Sequence, residues 1–216
     1  MAKGYLVTMQ IFALTLLMSL PLGFALALAN LSPFKPLVAF VRGYILILRG
    51  TPLVLQVMFV YYGVPLMLIG LRKSGVEVPF DFKPGALTAA VTAFVLNYSA
   101  YFAEILRGGI LSVDNGQYEA AFALGLSKRR TMFSIILPQT LMTSLPSLSN
   151  ETISLVKDTA LVSIITAEDL MRSTRLIVMR DVRIVPFAVA ALFYLATIAV
   201  LTGVFKLLEK KFAYIK

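Results

Sequence analysis

Five long stretches without a charged residue leave few folds open to this chain of 216 residues. Counted from charge to charge, they are Gly4–Phe34 (31 residues), Gly50–Leu71 (22), Pro84–Ala103 (20), Thr131–Asn150 (20) and Ile184–Phe205 (22). A helix rises about 1.5 Å per residue and the hydrocarbon layer is about 30 Å thick, so roughly 20 residues cross it. All five stretches are long enough. None shows the period-2 alternation of a barrel strand, which leaves the helix as the way to satisfy the backbone in lipid. The expected fold is an all-α integral membrane protein, one domain over 1–216, with five transmembrane helices at about 4–31, 52–71, 85–106, 131–156 and 184–208.

Composition narrows the chemistry. Charged residues make up 14% of the chain, against about 25% in an average soluble domain. His, Cys and Trp are absent. That removes imidazole bases, thiol nucleophiles, disulfides and His or Cys metal sites together, so neither catalytic nor metal-ligating residues are expected. The net charge of +9 fits basic residues at membrane edges better than nucleic-acid binding.

Lys3, the apolar stretch and Ala25-Leu26-Ala27-Leu28-Ala29 imitate a secretory signal peptide. The stretch is twice the length of a usual signal core of about 7 to 15 residues, so a retained helix is expected. With the N-terminus outside and the C-terminus cytoplasmic, eleven Lys and Arg fall inside and nine outside; setting aside Lys157 to Arg183, the count becomes eleven to four. Five helices without an internal repeat do not divide into two inverted halves, so a two-fold path requires a second chain.

Between the third and fourth stretches, Asp114 is placed to cap a short helix over about 115–125, with Gln117 three residues on and Gly125 as its stop. Ser127 then caps the next helix, so the chain turns sharply back towards the membrane. Tyr118, Ala121, Phe122 and Gly125 share one face, shaped to be gripped; the alternative is a helix lying flat at the headgroups.

Polar groups within the stretches are expensive in lipid and mark a pathway or a paired site. Gln139, Thr143, Ser147, Asn150 and Ser154 recur at spacings of 4, 4, 3 and 4 and end beside Glu151. Singly, such hydroxyls bond to backbone carbonyls near Pro138 and Pro146 or join helices; as a stripe, they point to a path for a polar solute. Asn97, Tyr101 and Glu104 share a face of the third helix, and Gln56 is the one amide of the second. Glu104 stands three residues before Arg107, so it is either a structural ion pair or part of the path, while Tyr101 is read as packing. The candidate substrate residues are Gln56, Asn97, Glu104, Asn150, Glu151 and Ser154. Carboxylates there suit the ammonium or guanidinium of a cationic or polar amino acid. Lys157 and Asp158 are read as a membrane-edge charge pair, with a gate as the alternative, and Arg172, Arg175, Arg180 and Arg183 as either a docking strip or interfacial anchors.

The order Glu119-Ala120-Ala121, three residues, Gly125, nine residues, Ile135, one residue, Leu137-Pro138 resembles the coupling motif of ABC importer permeases. Arg49-Gly50-Thr51-Pro52 with Gln56, the stretch from Ala100 to Ile110, Asn150-Glu151 and Lys157 to Ser163 are similar to the polar amino acid branch of that family, apart from Ala160 where the branch more often has Ser. The resemblance runs from about Arg49 to Lys211. It implies a bacterial inner-membrane subunit that pairs with a second permease chain, two cytoplasmic ATPase subunits and an extracytoplasmic amino acid binding protein. In that family the short helix sits in a groove of the ATPase, so Tyr118, Glu119, Ala120, Ala121, Phe122 and Gly125 are the implied coupling residues. No phosphate-binding loop occurs, and Gly70 to Gly75 lacks its spacing. ATP and magnesium are therefore expected in the partner ATPase, with no cofactor here. The alternatives are a permease of the same architecture for another solute, or a channel or secondary carrier working without ATP.

Overall fold

A computed structural model describes residues 1–79 and 83–212. Among them every regular element is helical, in the order α1 (Ala2–Asn30), α2 (Lys35–Gly50), α3 (Leu53–Met58), α4 (Val64–Lys73), α5 (Ala86–Leu111), α6 (Asn115–Ala123), α7 (Lys128–Thr131), α8 (Leu137–Asp158), α9 (Leu170–Asp181) and α10 (Val185–Phe212). Two π turns, Phe59–Gly63 and Met132–Ile136, join α3 to α4 and α7 to α8. Pro65 and Pro138 follow them by two residues. A proline clashes with the carbonyl four residues earlier, and the wider turn absorbs that clash without ending the helix.

The centre is α5, which packs against α1, α2, α3 and α8. Its Phe94, Tyr98 and Phe102 are buried with Ile11 of α1, Leu155 of α8, and Val162 and Ile165 of the 3-10 turn that follows α8. In lipid the apolar effect does not drive helices together, so close approach of small residues must do it. The face of α1 turned to its neighbours meets that need, with Gly4, Thr8, Thr15, Ser19, Gly23 and Ala27 all buried. A side chain at Gly23 would come within 2.7 Å of Phe102 Cβ and 3.0 Å of the Ser99 carbonyl oxygen. Gly109 of α5 likewise lies against Ser144 and Thr140 of α8. At the other end of α1, Thr8 Oγ1 accepts the Leu170 amide at 3.1 Å, which seats the start of α9. Only Ala190 is buried along α10, so this helix lies at the edge of the chain.

Four helices are long and apolar enough to cross a membrane: α1, the continuous Leu53–Lys73, α5 and α10. The expected count of five is thus met in four places. The remaining stretch lies in α7 and α8, where the stripe of amides and hydroxyls lowers the hydropathy that defines the others. The sequence expectation also passed over α2, whose 16 residues include Lys35, Arg42 and Arg49. It is amphipathic: Val41 and Ile45 pack on Ala100 and Ala103 of α5, while Phe40, Leu46 and Ile47 stay exposed.

Candidate functional site

The site begins at a break. Pro52 disfavours helix at the residue before it, and Thr51 and Pro52 are extended between α2 and α3. Carbonyls freed at such a break need donors at membrane depth. Thr51 Oγ1 donates to the Ile47 carbonyl at 2.8 Å. The Leu48 carbonyl accepts from Gln56 Nε2 at 2.9 Å and from Asn97 Nδ2 at 2.8 Å. Gln56 Nε2 also reaches the Thr51 hydroxyl at 2.8 Å, and Asn97 Nδ2 donates to Gln56 Oε1 at 3.1 Å. The amide hydrogens of Gln56 and Asn97 are therefore spent on the break, and these two residues clasp α2, α3 and α5.

Beside the clasp opens a cavity of about 560 Å3 whose polar lining is Arg49, Thr51, Asn97, Tyr98, Tyr101, Glu151, Ser154 and Asp158. Asp158 accepts the Tyr98 hydroxyl at 2.7 Å on Oδ2. The Arg49 guanidinium lies over the Tyr101 ring, 5.1 Å from its centre, at a distance that supports a cation–π contact. Glu151 is half-buried, and among the described residues no hydrogen bond engages its carboxylate. Two carboxylates and one guanidinium thus face one polar space, complementary to the ammonium and carboxylate of a zwitterion.

Of the six candidate residues, the structure brings Asn97, Glu151 and Ser154 to this cavity. Gln56 stands behind it as half of the clasp. Asn150 is exposed on a neighbouring part of α8 and does not line it. Glu104 lies elsewhere, gripped by Arg107 through Nε at 3.0 Å and the terminal nitrogen at 2.9 Å, with Arg49 at 3.9 Å. Its ion pair is real. Sequence reading missed Arg49 and Asp158 and took Tyr101 only for packing. Asp158 stands seven residues after Glu151 and four after Ser154, so continuing the stripe by one turn would have found it.

The stripe on α8 divides by bonding. Thr143 donates to the Gln139 carbonyl and the Gln139 amide to that of Ile135, each one turn back, as the hydroxyls of Thr140, Ser149 and Thr152 outside the stripe also do. The side chains of Ser147, Asn150 and Ser154 make no hydrogen bond among the described residues. None of the five stripe residues is buried in the chain.

The elbow follows the expected local chemistry. Asp114 Oδ1 accepts the Gly116 amide at 2.6 Å, and Ser127 Oγ accepts the Arg130 amide at 3.3 Å. Gly125 has φ +70°, a conformation that costs little without a side chain. The Leu126 amide donates to the Ala121 carbonyl at 3.0 Å and the Gly125 amide to that of Phe122 at 2.9 Å, closing α6 with a Schellman stop. Gln117 does not return to the cap; its side-chain Oε1 accepts from Gln139 Nε2 at 3.4 Å. The face expected to be gripped is split. Tyr118 packs on Ile110, Val113 and Ile136, and Ala121 is buried, while Glu119, Ala120 and Phe122 point outward, Phe122 being 85% exposed. Partial burial holds the Tyr118 phenol above its ordinary pKa.

Residues 19–214 match the family described as the binding-protein-dependent transport system inner membrane component. The chain belongs to that family. The permease is 35% identical to an arginine transport system permease protein of Bacillus subtilis (strain 168) over 210 residues, 97% of this chain and 90% of the relative. It is 38% identical to a glutamine transport system permease protein of Escherichia coli (strain K12) over 169 residues, 78% of this chain and 72% of the relative. The fold matches a crystal structure of an amino acid ABC transporter with histidines at a TM-score of 0.83 and 33% identity, covering 97% of the permease and 92% of that chain. A subunit of the MetNI methionine ABC transporter shares the fold at a TM-score of 0.74 with 14% identity, over 98% and 95% of the two chains. The permease is the membrane subunit of an ABC importer, a multi-pass inner-membrane protein.

Proposed function

We propose that the permease forms the transmembrane path of an ATP-driven importer for polar amino acids, cationic ones above all. One observation carries this: the half-buried Glu151, without a hydrogen bond, faces the same cavity as Asp158 and Arg49. Arg49 supplies the donor for the substrate carboxylate. Glu151 and Asp158 receive the ammonium and a side-chain cation, with Asn97 and Ser154 lining the remainder. Permeases named for arginine and glutamine among the relatives support the same class.

In this proposal α7 and α8 make a fifth crossing, tolerated in lipid because the stripe faces water or protein. A second permease chain, identical or homologous, faces the stripe across the path. The N-terminus lies outside and the C-terminus in the cytoplasm, as the count of eleven basic residues to nine favours. An extracytoplasmic binding protein delivers the amino acid, and two ATPase subunits receive α6 through Glu119, Ala120, Phe122 and the turn at Gly125. ATP with magnesium acts in those partners. Closure of the ATPases moves both elbows together, and the capped, Schellman-closed link from α6 to α7 passes that movement to α8 as a rigid body. The cavity then changes the side it faces, with no covalent step in this chain.

The test is Glu151→Gln in the assembled transporter reconstituted into vesicles. Losing a charge-assisted contact is expected to cut uptake of a cationic amino acid about tenfold or more, with folding unchanged. Unaltered uptake and unaltered substrate-stimulated ATP hydrolysis would overturn the proposal.

A further inference from the structure

A second cavity, of about 520 Å3, opens at the end of α5 nearest the elbow. Three guanidiniums line it, those of Arg42, Arg49 and Arg107, with one carboxylate, Glu104, and the apolar side chains of Ile45 and Leu46. Glu104 is satisfied by Arg107 at 2.9 and 3.0 Å, with Asn30 Nδ2 at 3.5 Å. Arg42 is exposed and donates from Nε to Asn30 Oδ1 at 3.4 Å. Three cations against one anion leave two positive charges in excess in one concavity. That excess is the complement of a phosphate, which the planar guanidinium fork binds through paired hydrogen bonds.

The depth and the wall decide where the phosphate comes from. Arg107 is four residues before the end of α5 at Leu111, about 6 Å along the axis, and so lies near the elbow end of this long apolar helix. On α2 Leu46, 74% accessible, lines the cavity; the adjacent Ile47 is 62% accessible, and Phe40, nearly two turns earlier, 72%. A free phosphate has no use for such a wall; an acyl chain does.

We propose that this cavity binds the phosphate of an anionic phospholipid from the elbow-side leaflet, with Arg42 and Arg107 as donors, the charge of Arg49 beside them and Leu46 against an acyl chain. Arg49 and Gly50 border both this cavity and the substrate cavity, whereas Arg42, Glu104 and Arg107 line this one and not the other, and the proposal stands whether or not the transported solute is an amino acid.

The test places the full-length permease in nanodiscs of phosphatidylcholine with a minor fraction of phosphatidylglycerol and counts the lipid retained after mild detergent extraction by native mass spectrometry. The wild type is expected to retain phosphatidylglycerol preferentially, and Arg42→Gln to lose about fivefold of that preference. Arg42→Lys, which keeps the charge without the fork, is expected to fall between them. Arg183→Gln, a surface charge just before α10, is expected to change nothing. An unchanged preference in Arg42→Gln, or an equal loss in Arg42→Gln and Arg183→Gln, overturns the proposal. So does displacement of the retained lipid by millimolar inorganic phosphate, which makes the ligand a free anion.

Discussion

On α1, Gly4, Thr8, Thr15, Ser19 and Gly23 recur every few residues on one face and all are buried within the chain. On α8, Gln139, Thr143, Ser147, Asn150 and Ser154 recur at a similar spacing, and none is buried. Both stripes avoid lipid, for different reasons. The α1 residues are small, so they let two backbones approach: a side chain added at Gly23 meets α5, and one added at Gly4 meets Ser173 of α9 and the Asp169 backbone. The α8 residues carry amides and hydroxyls that reach beyond the backbone, and three of them remain unbonded in the single chain. A stripe of small residues builds a seam. A stripe of longer polar groups next to a carboxylate builds a wall that awaits water, a solute or a second chain.

The sharpest way to break this comparison is Gly23→Val. The added carbons have no room between Phe102 and the Ser99 carbonyl, so thermal unfolding in detergent is expected to show a loss of about 2 to 3 kcal/mol. Thr8→Val keeps the shape but removes the acceptor of the buried Leu170 amide, for an expected loss of about 1 to 3 kcal/mol. On the other stripe, Ser147→Leu is expected to leave the stability of the isolated permease within about 0.5 kcal/mol while abolishing uptake by the assembled transporter. Equal destabilisation by Gly23→Val and Ser147→Leu would mean that both stripes are intrachain seams.

What sequence could reveal tracks the distance over which each feature is decided. The elbow was legible because Asp114, Gly125 and Ser127 act on amides and carbonyls within a few residues. The helices at α1, α5 and α10 were legible because an uncharged run needs no partner to be recognised. The helix α2 was hidden by Arg42 and Arg49, which read as loop charges until Val41 and Ile45 are seen against Ala100 and Ala103. Within the site, Glu151 stood out as a carboxylate after a long uncharged run. Asp158 did not, because its neighbour Lys157 offered a local pairing; its partner is Tyr98, 60 residues away. The amides that make Gln56 and Asn97 candidate substrate ligands in the sequence also hold the break at Thr51 and Pro52, with Asn97 still on the cavity wall. Polarity in a membrane helix marks need, and only the tertiary fold tells whether backbone or solute meets it.

The absence of cysteine from the sequence gives the most direct test of the α8 wall. Single Ser147→Cys, Ser154→Cys and Leu195→Cys variants of the assembled transporter are exposed on both membrane faces to a charged, membrane-impermeant thiol reagent. If the stripe lines a water-filled path, the cysteines at 147 and 154 react and substrate slows the reaction at 154, while the one at 195, on the outward face of α10, does not. Protection of 147 and 154 from the reagent, with or without substrate, together with labelling at 195, would contradict it.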